Sequence, residues 1–429
     1  MKPFLVMSAP IATRSGYGDH ARDLLRSLIA MDKYDILVLS QRWGNLPENA
    51  LGPDDEDISR LIHKGQNNHL PKQPDIWIQV TIPNEFQAVG KYNIGITAGI
   101  ETTICDSSWI EGLNKMDLNI VPSHHAKNVF INTTYDKMDN KTNQKIGTLK
   151  CEKPVEVLFE GLDLEVFNKT KEIPNTVVDT LADIPEQFCF LMVGHWLNGD
   201  FGHDRKDVAT TIKTFCETFK NKGRKKPALI FKSGTTFSVR DREELLKKIQ
   251  TVRNLTPGAP NVYLIHGDMD AVELNGLYNH PKVKAMVSFT HGEGYGRPLQ
   301  EFAITGKPVI APNWSGHVDF LKHSILLPGE LKQVHPSVVW DKVVLKDSSW
   351  FYVNAGYASN VMKEVFKNYK KFDRNGKKQA TFIRKNFSLE QMTEEFKDLM
   401  NDVKVVQQVP LQLPKLNPVK LPKLSKVEK

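Results

Sequence analysis

The chain has 429 residues and a formal net charge of +7, with 40% hydrophobic and 25% charged residues. That length exceeds one ordinary core and implies two large globular domains. No apolar run approaches the roughly eighteen residues of a membrane span, and the charge is uneven: residues 404–429 hold six lysines and one glutamate, so the body is nearly neutral and general nucleic-acid binding is disfavoured.

The first apolar segment, FLVMSAP at residues 4–10, reads as a strand. Pro3 and Pro10 break it up and a helical pattern follows at once, unlike a secretory leader. Cys105, Cys151, Cys189 and Cys216 show no CxxC spacing, and a reduced, cytoplasmic protein is the expectation. After the loop IATRSGYG comes a helix with Ala21, Leu24, Leu25, Leu28 and Ile29 on one face, then a second strand in YDILVLSQRW. Strand-like runs recur at 75–82, 93–99, 118–123 and 155–161. Strands alternating with helices imply a parallel sheet covered on both faces. The polar stretch 133–153 is expected to be an exposed loop.

The pattern restarts at FCFLMVGH. A helix follows with Val208, Ile212, Phe215, Cys216 and Phe219 on one face, and the later strands are ALIFKSG, NVYLIHGD, KAMVSFTHG and KPVIAPN. Three amphipathic helices are expected in 356–404, and the Pro- and Lys-rich end reads as disordered. The expected domains are 1–178, 179–355, C-terminal helices over 356–404 with the last returning to the first domain, and a tail over 405–429.

Most of the chemistry lies in HGEGYGRPLQEFAITGKPVIAPNWSG, residues 291–316. A buried-type strand feeds the turn HGEGYG; Pro298 suits the first turn of a helix and Gly306 its C-terminal end. Glycines at a strand-to-helix junction let backbone N–H groups approach a ligand closely, and the helix start favours a phosphate. Glu293 lies in the turn and Glu301 in the helix, about 12 Å apart if all were helical. Glycosidases hold their two carboxylates roughly 5–9.5 Å apart across one bond. This pair suits a longer ligand gripped at two places, such as a nucleotide-sugar with hydroxyls on either side of its diphosphate.

GEGYGRPLQE followed by ITGKPVIAP closely resembles the Glu-x7-Glu signature of the retaining GT-B glycosyltransferases of family 4. SGYG (15–18) resembles that family's glycine loop, FEGLDLEVF (159–167) its motif closing the first domain, and HDRKDVATTIKTF (203–215) its basic motif in the donor domain. The four matches fall in order along most of the chain. They imply an α/β GT-B fold, with two Rossmann-like parallel-sheet domains facing a central cleft, C-terminal helices and a disordered tail. The resemblance implies that Glu293 contacts the donor sugar and Glu301 the ribose. It further implies N–H groups of Gly294, Tyr295 and Gly296 on sugar or phosphates, and Arg205 and Lys206 on the diphosphate. His266 and Gly267 would lie beside the base, and Gly16 would close over the phosphates. Two departures stand out: His195 where the family usually has arginine, and Glu101 in TAGIETT near where it often has histidine. Glu101 is therefore a candidate acceptor-side base. The implied chemistry is retaining transfer without a protein nucleophile, the leaving phosphate taking the proton; a UDP-linked donor is expected and no metal or other cofactor.

The chain as a whole also resembles glycosyltransferases of tailed phages, some of which modify hydroxymethylated bases of their own DNA. The lysine-rich tail is compatible with that, so a DNA base, exposed or flipped out, is the leading expected acceptor. A lipopolysaccharide, other glycan or small molecule is the alternative acceptor. A nucleotide-sugar 2-epimerase and a non-enzymatic binding module are the alternative functions. His124–His125 lack a carboxylate cluster and read as structural or surface residues. Asp268-Met269-Asp270 resembles a DxD metal motif but fits a helix N-cap better. NKGRKK (221–226) and RNGKK (374–378) read as solvated faces.

Overall fold

The computed structural model describes residues 2–403, apart from 66–69, 140, 222, 224–225 and 235–238. The expected tail therefore lies outside the described residues.

The first half builds β1 (Phe4–Ala9), α1 (Gly16–Met31), β2 (Asp35–Ser40), α2 (Glu56–Ser59), β3 (Ile76–Val80), β4 (Tyr92–Ile96), α3 (Ser107–Leu113), β5 (Leu118–Val121) and α4 (His124–Asn132). A hairpin, β6 (Tyr135–Met138) and β7 (Lys145–Leu149), precedes β8 (Val155–Val157). The sheet order is β2-β1-β3-β4-β5-β8, and every pairing is parallel. All six residues of β1 are buried, as a central strand covered on both faces requires. Helix α1 starts where Ser15 Oγ accepts the Gly18 N–H at 3.0 Å, and it buries Ala21, Leu24, Leu25 and Leu28.

Residues 133–153 are not a loop: they hold the antiparallel β6–β7 hairpin. Its strands are mostly exposed, so no apolar alternation marks them in the sequence. Its anchor is Tyr135, whose hydroxyl donates to the Cys105 carbonyl at 2.6 Å.

After α5 (Asn175–Ala182) the second half runs β9 (Cys189–Val193), α6 (Val208–Phe219), β10 (Ala228–Ser233), α7 (Val239–Asn254), β11 (Val262–His266), α8 (Ala271–Asn279), β12 (Val283–Val287), α9 (Arg297–Ala303), β13 (Val309–Pro312) and β14 (Ile325–Leu327). The order β11-β10-β9-β12-β13-β14 is the doubly wound one, again all parallel. Val208, Ile212, Phe215, Cys216 and Phe219 are all buried in a core under this sheet. The expected boundary at 178/179 falls inside α5.

An antiparallel hairpin, β15 (Gly329–Gln333) and β16 (Ser349–Val353), is inserted after β14. It carries its own small core of Val334, Val344 and Trp350, and the Ser349 N–H donates to Thr103 Oγ1 of the first domain at 2.9 Å. Helices α10 (Ala355–Lys367), α11 (Tyr369–Asn386) and α12 (Leu389–Asn401) complete the described chain. The last lies along α1, with Ser27 Oγ and Thr393 Oγ1 at 2.8 Å.

Open α/β sheets bind ligands beyond the carboxyl ends of their strands, where the strand order reverses. In the second sheet that point lies between β9 and β12, so residues 194–207 and 288–296 border the crevice. In the first it lies between β1 and β3, under residues 10–18.

Candidate active site

The crevice brings Glu293, Arg205 and Lys206 together. Arg205 Nη1 donates to Glu293 Oε2 at 3.1 Å, and Lys206 Nζ donates to Oε1. Glu293 is 6% exposed. Burial alone would raise its pKa, but Lys206 and Arg205 outweigh that and hold the carboxyl down at about 2. Glu101 joins from the first domain, its Oε1 lying 3.4 Å from Arg205 Nη1. The cluster thus holds two cations and two acids, contributed from both sides of the cleft.

Glycines make this approach possible. A Cβ on Gly292 would sit 2.0 Å from the Glu101 carbonyl oxygen, and one on Gly294 would sit 2.0 Å from that of Ala98. Ser123 Oγ, from the first domain, donates to the Gly294 carbonyl at 2.7 Å. Gly296, at φ 103, turns the chain into α9 in a conformation that favours glycine. The Tyr295 side chain points into the core, its hydroxyl accepting from Gln300 Nε2 at 2.7 Å, so only its backbone can serve a ligand.

Glu301 is also 6% exposed. Tyr278 donates to its Oε2 at 3.1 Å and Arg297 Nε lies 3.5 Å from Oε1. Arg297 also donates to Asp23 at 2.9 Å and sits 3.6 Å from Glu160, both across the cleft. One cation therefore serves three buried acids. Burial pushes Glu301 up to about 7 and Glu160 up to about 7, with Arg297 acting against it in both cases.

The remaining expected residues lie around this centre. His195 follows β9, and burial and then the neighbouring Lys206, Arg205 and Lys232 lower its pKa. It does not supply the positive charge of the usual arginine. His266 ends β11 beside a cavity of about 440 Å³ that Gly267, Asp268 and Met269 also line. Its buried Nε2 has no hydrogen-bond partner among the described residues. Gly16 opens α1 with open space around its Cβ position. The glycine of that loop with no room is Gly18, whose Cβ would fall 2.3 Å from the Thr13 carbonyl oxygen. Asp270 caps α8, accepting the Glu273 N–H at 2.8 Å. Exposed His124 lies 3.3 Å from Asp319, whereas half-buried His125 meets Trp314 edge-on.

Sequence reasoning missed Ser315, Arg297, Asp23 and Glu160. Arg297 and Glu160 stand inside quoted motifs, and a charged residue in each apolar setting was the available signal. Asp23 sits on α1 one residue before the apolar Leu24–Leu25 pair. Ser315 has no local signal, because its partner is 22 residues away.

The two doubly wound sheets facing one cleft, with helices closing the C-terminus, define the GT-B fold. No protein-family model matches the sequence, and no curated protein matches it. Among solved structures, a glycosyltransferase from Rickettsia africae superposes with a TM-score of 0.63 at 12% identity, over 95% of this chain and 100% of that one. Sucrose-phosphate synthase from Thermosynechococcus elongatus gives 0.62 at 13%, over 94% and 98%. HepE from Anabaena, solved with UDP-glucose, gives 0.58 at 11%, over 94% and 100%.

Proposed function

We propose that this chain is a nucleotide-sugar-dependent glycosyltransferase that retains the configuration of the transferred sugar. The observation that carries this reading is Glu293, a buried acid held ionised between two cations where the second sheet reverses its strand order. HepE was solved with UDP-glucose and an Escherichia coli trehalose-6-phosphate protein with UDP-2-fluoro glucose. Both share this fold, which supports a UDP-linked donor.

In this reading the donor's diphosphate takes Arg205 and Lys206 away from Glu293. The freed carboxylate then accepts hydrogen bonds from sugar hydroxyls, and Glu301 from those of the ribose. The backbones of Gly294, Tyr295 and Gly296 border the sugar and phosphates, and Gly16 faces them from the first domain. His266 and Gly267 lie beside the base, for which His266 Nε2, without a partner among the described residues, offers a hydrogen bond. The bond from the anomeric carbon to the phosphate oxygen breaks as the bond to the acceptor oxygen forms on the same face. The acceptor proton passes to the leaving phosphate, and the two cations stabilise the released diphosphate. Metal is not required in this scheme.

On the acceptor side, Glu101 is the candidate base in the limited sense that its carboxylate accepts a hydrogen bond from the attacking hydroxyl and orients it, while the proton itself ends on the leaving phosphate. Tyr17, which stacks on Trp43 with centroids 4.0 Å apart, offers an aromatic wall in the first domain. A ring bearing a hydroxyl, whether a hydroxymethylated base or a sugar, suits such a wall. The DNA reading draws otherwise on residues 404–429, outside the described chain. Mass spectrometry of DNA and glycans after incubation with UDP-, GDP- and ADP-sugars tests both arms. Sugar appearing on neither, with no calorimetric heat from any of the three, would overturn the reading.

A further inference from the structure

Ser315 has φ 75 and ψ −167, a backbone region that belongs almost wholly to glycine. The neighbouring Gly316 has its own reason to be glycine: a Cβ there would meet the Gly294 carbonyl oxygen at 2.0 Å. Ser315 has no such excuse, since glycine would relieve its backbone. What the serine adds is a hydroxyl. Its Oγ accepts the Glu293 N–H at 3.0 Å, and the Gly316 N–H donates to the Glu293 carbonyl at 2.9 Å. Both peptide groups of Glu293 are thus held by consecutive residues of one loop. Behind them, His317 Nε2 donates to the Pro312 carbonyl at 2.8 Å, leaving Nδ1, 3.5 Å from Ser315 Oγ, to receive the hydroxyl proton. The bonds run one way, from the Glu293 amide through Ser315 and His317 to Pro312. Burial lowers the His317 pKa, which keeps the imidazole neutral as this direction requires.

We propose that Ser315 is a positioning residue, kept in a glycine conformation so that its hydroxyl aims Glu293 at the donor sugar. This rests on reading Glu293 as the sugar-contacting acid. The strained backbone destabilises the resting fold, and the fixed carboxylate serves the transition state more than ground-state binding.

The test compares wild type with S315G and S315A. S315G loses the hydroxyl and the strain together, so its melting temperature should rise while kcat falls about tenfold and the donor KM moves less than about twofold. S315A loses the hydroxyl but keeps its Cβ, so kcat should fall alike with no rise in melting temperature. Hydrogen exchange at the Glu293 amide should quicken at least about tenfold in both variants. A merely structural serine would lower stability and activity together in S315G, and that result would overturn the proposal, as would an unchanged kcat in S315G. If wild type transfers nothing from UDP-, GDP- or ADP-sugars, the transferase reading falls and the catalytic role of Ser315 falls with it. Active wild type with an indifferent S315G removes Ser315 alone.

Discussion

Replacing Glu293 by glutamine should have opposite effects on turnover and on nucleotide binding. In the resting site the carboxylate is the partner of Arg205 and Lys206, so a diphosphate must displace it. Glutamine removes both that competition and a negative charge standing next to the phosphates. A unit charge roughly 5 Å away, at an effective dielectric of about 20, amounts to about 3 kcal/mol as a ceiling, since part of the glutamate moves aside. E293Q should therefore bind UDP roughly 10- to 100-fold more tightly than wild type by calorimetry. Without a ligand the same variant should melt lower, because buried Lys206 and half-buried Arg205 lose the carboxylate they share, while Glu101 stays 3.4 Å from Arg205. Saturating UDP should restore the melting temperature. Transfer should fall at least about 100-fold, because the sugar loses its ionised contact. Weaker UDP binding in E293Q would show that the acid does not compete with phosphate, and the charge-exchange argument would be wrong.

Four further outcomes are expected. G294A should keep UDP affinity within about threefold but lose transfer at least about 100-fold, because its Cβ meets Ala98 of the opposite domain and bars closure; scattering should show an opened particle. G18A should lower the melting temperature and G16A should not, since only Gly18 is crowded, whereas G16A should lower turnover because its Cβ enters the space facing the phosphates. Glu301 sits at about 7 when folded against 4.5 in the unfolded chain, so the fold holds a proton that the unfolded chain has released. Stability contributed there is full below pH 4.5 and declines as pH rises to 7, by about 3 kcal/mol at most, and E301Q should flatten that part of the melting profile. EDTA should leave transfer undiminished, measured as UDP released.

The central strands of both sheets were legible because parallel strands buried on both faces read as continuous apolar runs, as in FLVMSA and CFLMV, whereas the three-residue edge strand β14 was not read. The hairpins were not: β6–β7 is largely exposed, and β15 has all five residues exposed, so neither leaves a periodic trace. Within the site, Glu293 and Glu301 stood out through the glycines and the helix start around them. Their environments did not. That Glu293 is held near 2 and Glu301 near 7 depends on which cations each meets, and those partners come from distant segments. Tyr17 shows the same limit: its stacking on Trp43 joins the first turn of α1 to the loop after β2.

Arg297 has a consequence for how the two lobes part. It is the shared counterion of Asp23 and Glu160 on one lobe and Glu301 on the other. While the lobes are together, Glu160 is buried enough to keep a proton up to about pH 7. Parting them would return that carboxyl to water, where it is a stronger acid and gives the proton up. Each opening between roughly pH 5 and 7 would then discharge acid into the solvent, and each closing would draw it back, so acidity would favour the clasped shape and the heat of a titration would vary with the buffer chosen.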